Sequence, residues 1–182
     1  MAKAVWDVVA ATVFTVLTAG PFPLAADESG LVDCQGASTT MPRIRTADPD
    51  IARAIAQATE WSQTFRRLVE AIEKTDGIVW VSRGRCGSGA SACLLTYLIV
   101  SGPNRLLHVH VAPRRSGHEL MESLGHELQH VLEVLGSSAR STAEMYNFFE
   151  YGPGVYRVGD RFETRAAVEA GFAVGREVAR AR

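Results

Sequence analysis

Two histidines with three residues between them, the first followed at once by a glutamate, stand at His126-Glu127-Leu128-Gln129-His130. Zinc takes neutral imidazole nitrogens at about 2.0–2.1 Å in a tetrahedral shell. Side chains four apart on a helix lie one turn above each other, so both rings reach one ion. A glutamate directly after the first histidine projects beside the metal, where it can hold and deprotonate a zinc-bound water. The spacing therefore makes sense only on a helix. At about 100° per residue, Leu120, Leu124, Leu128, Val131 and Leu135 share one apolar stripe, and His126 and His130 fall on the far side of it.

The stretch Leu124-Gly125-His126-Glu127-Leu128-Gln129-His130-Val131-Leu132 resembles the active-site helix of zincin-type metallopeptidases. The resemblance implies that His126 and His130 bind Zn2+, that Glu127 is the general base, and that the substrate is a peptide or protein. It implies a small mixed sheet ahead of this helix, with an edge strand that pairs with extended substrate. Residues 106–111 are the candidate for that strand.

A catalytic zinc site takes three protein ligands and leaves the fourth position to water. The metzincin branch would place a glycine at position 133 and a further histidine downstream. Position 133 is Glu133, and no histidine follows His130. A downstream carboxylate, as in the gluzincin branch, remains. Glu163 stands first, before small residues that allow close helix packing. Glu150 has the spacing of thermolysin-like enzymes but precedes Tyr151-Gly152-Pro153-Gly154, and Glu144 sits in a weaker helical stretch. Spacing leaves the choice open. Glu133, one turn beyond His130, is placed to orient a ligand, to serve as one, or to face solvent. Tyr146, Tyr151 and Tyr156 are candidates to stabilise an oxyanion. His108 and His110 share a strand face and form a weaker candidate metal pair, and His118 reads as a surface residue.

The elements that must position these groups follow from periodicity and breakers. Asp48-Pro49 opens a helix over residues 51–74, with a break expected near Thr59, and Asp76-Gly77 stops it. Residues 78–81 form a short strand. Residues 93–100 and 106–111 form a hairpin around Ser101-Gly102-Pro103-Asn104. The motif helix runs over residues 117–135 and ends at Gly136. Residues 141–150 make a short helix, and a last helix covers residues 162–179. The order predicts an α+β, zincin-like domain over residues 48–182, with the sheet packed on an N-terminal helix and the motif helix, plus a C-terminal helix.

Ahead of that domain, Lys3, the apolar run of residues 8–19, the Gly20-Pro21-Phe22-Pro23 break and Ala25-Ala26 have the layout of a signal peptide over residues 1–26. An uncleaved anchor is the alternative. Residues 27–47 read as an irregular arm. Export to a secreted or periplasmic location would let Cys86 and Cys93 close a small loop as a disulfide and leave Cys34 as the odd cysteine. With 182 residues, 47% hydrophobic and a net charge of −1, the chain can bury one core and gives no electrostatic case for a nucleic acid or anionic membrane partner. No stable membrane span is expected once the leader is removed, and the oligomeric state is left open. The expectation is an exported zinc-dependent metallopeptidase-like hydrolase; the alternative is a zinc-holding binding or structural module without proteolytic activity.

Overall fold

The computed structural model describes residues 41–113 and 117–181. The expected leader and residues 27–40 of the expected arm lie outside them. The fold is mixed α+β, and no helix among the described residues is long and apolar enough to cross a membrane.

A short strand β1 (Ile44–Arg45) comes first and pairs in parallel with β2 (Gly77–Arg83), so the end of the expected irregular arm belongs to the sheet. The Asp48 carboxylate accepts from the Asp50 and Ile51 amides at 2.8 and 3.0 Å and starts α1 (Pro49–Trp61). The break expected near Thr59 falls at Ser62 and divides the helix of residues 51–74 in two. Ser62 ends α1 through its amide to Ala58 O and starts α2 (Gln63–Glu73) through its hydroxyl, which accepts from Phe65 N at 3.0 Å.

The hairpin of β3 (Ala92–Ser101) and β4 (Asn104–Val111) completes a sheet of order β1-β2-β4-β3, with β3 antiparallel and the other pairings parallel. This corrects the edge assignment. Residues 106–111 lie on β4, which is paired on both sides; the edge strands are β1 and β3, and β3 is the free edge next to β4. One sheet face carries the buried Val79, Val81, Leu107, Val109 and Val111. It packs on α3 (Gly117–Gly136), which also meets α1, α2 and the last helix. Leu120, Leu124, Leu128 and Val131 are fully buried there, as their spacing predicts.

Arg105 locks the sheet to the far end of α3. Its guanidinium is held by Asp76 (Nη2 to Oδ1 2.7 Å) and donates to Val134 O, Leu135 O, Ser137 O and Ala139 O. These include helix-end carbonyls that have no partner within the helix. The chain then forms α4 (Thr142–Tyr151), the hairpin β5 (Val155–Val158) and β6 (Arg161–Thr164), and α5 (Arg165–Arg180). The final helix therefore starts later than expected, because residues 162–164 extend along β6 instead of opening it.

Candidate metal centre

The site forms where α3, α5 and the β5–β6 hairpin meet. Three helical glycines let α5 lie close on α3. A Cβ on Gly125 would stand 2.6 Å from Val174 Cγ2, one on Gly171 3.1 Å from His126 Cβ, and one on Gly175 2.6 Å from the Glu122 carboxylate. Thr164 fixes the approach. Its hydroxyl caps α5 by accepting from Ala167 N at 3.1 Å, and it donates to Glu133 Oε1 at 2.7 Å. The residue before it, Glu163, is thereby set opposite the two histidines.

His126 Nε2 lies 3.2 Å from Glu163 Oε2, and His130 Nε2 lies 3.7 Å from the same oxygen. A tetrahedral zinc with donors at 2.0–2.1 Å holds them about 3.3 Å apart. His130 Nε2 and Glu163 Oε2 are buried and have no hydrogen-bond partner. A metal ion between them would satisfy both, so these residues could hold one. Among the described residues, His126, His130 and Glu163 are the one group whose donor atoms converge in this way.

The surroundings prepare the donors. His130 is only 4% exposed, and its Nδ1 sits 3.0 Å from Glu133 Oε2. A proton on Nδ1 pointed at that carboxylate leaves Nε2 free for the metal. Burial opposes charge on His130, but Glu133 and then Glu163 outweigh it and raise its pKa to about 9. Burial likewise opposes charge on Glu163, yet His126 and His130 bring it down to about 2. The metal-free site thus favours a proton on His130 that a metal must displace.

Glu127 lies beside this group, 6% exposed, and burial raises its carboxyl pKa. Its Oε2 accepts from Leu94 N on the free edge of the sheet at 2.6 Å. A cleft of about 950 Å³ opens over these residues, bordered by β3 from Ala92 to Thr96, by Tyr146 and Phe149 of α4, and by Tyr156 and Phe162 of the hairpin.

The other sequence candidates are placed elsewhere. Glu150 pairs with Arg157. Glu144 accepts from Arg140 N at the start of α4. Glu133 meets the site through His130 and Thr164. Tyr146 and Tyr156 border the cleft, whereas Tyr151 is 80% exposed and does not. His108 and His110 alternate with the buried residues of β4 and lie on the sheet face away from α3. His118 is half-buried rather than a free surface residue, with Nε2 2.6 Å from Gly175 O. Cys86 and Cys93 are joined by a disulfide beside the cleft.

Thr164, the Leu94 amide and the glycines of α5 have no counterpart in the sequence reading. A signal existed for the first of these: Val155 to Val158 and Arg161 to Thr164 flank Gly159-Asp160, a two-residue hairpin turn. Compared with known proteins, the chain matches no family model, no curated protein and no solved structure.

Proposed function

We propose that this chain is a zinc-dependent, peptidase-like hydrolase of the zincin type with a gluzincin ligand set, working outside the cytoplasm. The observation that carries this reading is the convergence of His126, His130 and Glu163, whose donor atoms lie within 4.8 Å of one another, beside Glu127 and beneath an open cleft. Parallel strands with an antiparallel edge strand beside the cleft support the zincin comparison. The Cys86–Cys93 disulfide supports an oxidising compartment.

A zinc ion held by these three side chains supplies Lewis acidity toward a carbonyl and lowers the pKa of water. The chain's own part is proton movement and alignment. Glu127, its pKa raised by burial, accepts the proton of the attacking water and returns it to the leaving amine. One C–O bond forms, one C–N bond breaks and one water is consumed. The Leu94 amide holds the Glu127 carboxylate toward the edge strand, and Glu133 keeps His130 in the ligating tautomer.

One feature favours a zinc-holding module without turnover: Glu127 is nearly buried and already hydrogen-bonded. Glu127→Gln separates the two readings. For the enzyme, the variant keeps its zinc and loses peptide hydrolysis by roughly 100-fold or more. Wild-type protein that holds zinc and hydrolyses no peptide identifies the module.

A further inference from the structure

The free edge of β3 is short at one end. Thr142, the first residue of α4, takes both outward groups of Leu98: its hydroxyl accepts from Leu98 N at 3.1 Å and lies 3.2 Å from Leu98 O. At the other end of the same stretch Leu94 N is held by Glu127. Between these points β3 bulges. Leu94 is opposite Val109 and Leu98 is opposite Leu107, so four steps of β3 span two steps of β4. Two strand steps cover about 7 Å, the length of about two extended residues.

The cleft ends at the same place. It borders β3 as far as Thr96 and no further. Beyond Thr96 the wall is α4, where Thr142, Tyr146 and Phe149 recur at helical spacing on one stripe. Phe162 packs against that wall, with ring centroids 5.7 Å from those of Tyr146 and Phe149.

A peptide adding to the edge antiparallel to β3, the more stable pairing, runs with its amino end toward Leu98 and α4. Its reacting carbonyl must lie near Glu127, and hence near Leu94. We infer that the site accepts no more than about two residues on the amino side of the cleaved bond, which makes the substrate the free N-terminal end of a peptide or unfolded chain. The role is trimming from the amino end, not internal cleavage. This inference rests on the hydrolase reading and narrows its substrate class.

The test uses the zinc-loaded full chain, a pool of peptides of mixed sequence with free termini, and mass spectrometry of the products. The expected result is cleavage within about two residues of the N-terminus, favoured roughly tenfold or more over internal positions. Thr142→Ala, which releases the Leu98 groups, moves cleavage further from the N-terminus. Cleavage spread evenly along the peptides, or limited from the carboxyl end, overturns the inference and leaves the hydrolase standing. A Thr142→Ala pattern identical to wild type overturns the boundary at Leu98. If zinc-loaded protein cleaves no peptide, the hydrolase reading fails and this inference fails with it.

Discussion

The Thr164 hydroxyl donates to Glu133 Oε1 at 2.7 Å and joins the carboxylate behind one histidine to the residue next to the third donor. Glu133 in turn lies 3.0 Å from His130 Nδ1. One hydroxyl thus orients both arms of the centre, because Glu163 precedes Thr164 and His130 leans on Glu133.

Glu133→Gln weakens this orientation without removing a donor to the metal. Zinc affinity is expected to fall about 10–100-fold, the usual effect of losing a carboxylate behind a ligating histidine. Competition against a chelator of known affinity measures it. Thr164→Val produces the same weakening and also removes the cap of α5, costing about 1 kcal/mol in urea denaturation. An unchanged affinity in both variants would show that the contact does not serve the metal.

The three glycines between α3 and α5 should respond to alanine in a set order. Gly125→Ala drives a methyl into β-branched Val174, which has little freedom to move, and costs about 1–3 kcal/mol. Gly175→Ala meets only the end of the flexible Glu122 side chain. The helix-propensity gain of up to about 1 kcal/mol leaves that variant near neutral. Gly171→Ala presses on His126 and lowers zinc affinity more than it lowers stability. Denaturation midpoints and metal competition on the same three proteins test the order.

Asp76 provides a pH signature. Its hydrogen bond with Arg105, opposed by partial burial, holds its carboxyl below the ordinary value of 3.8. A depressed carboxylate contributes stability above the unfolded pKa and loses it as pH falls through the lower folded value. Asp76→Asn is therefore expected to cost about 2–3 kcal/mol near neutral pH, since buried Arg105 loses its charge partner. The difference from wild type should narrow below about pH 4. A difference independent of pH would contradict the assignment.

The sequence made the local part of this centre readable and left the relational part hidden. The spacing of Leu120, Leu124, Leu128 and Val131 specified the helix, and with it the mutual placement of His126, Glu127 and His130. Chain position points to Glu163 as a ligand, but the element around it is a strand and not the opening turn of a helix. It sits on β6 and Thr164 is the cap, because the turn at Gly159-Asp160 forms a hairpin there. The edge strand is hidden for a different reason. Strand order depends on which partners each strand finds across the sheet, and periodicity within residues 106–111 carries no record of that. Apolar spacing marks a break near Thr59, and the residue that makes it, Ser62, acts through hydrogen bonds that such spacing does not report.

Metal binding by the full chain and by Glu163→Ala is the most direct measurement of the central claim. The account predicts about one zinc per chain in protein prepared without chelator. It predicts an affinity loss of roughly 100-fold or more when Glu163 is replaced by alanine, since the histidines then keep two donors where three had converged. Wild-type protein that holds no zinc, or a Glu163→Ala variant that binds it as tightly as wild type, would contradict the account.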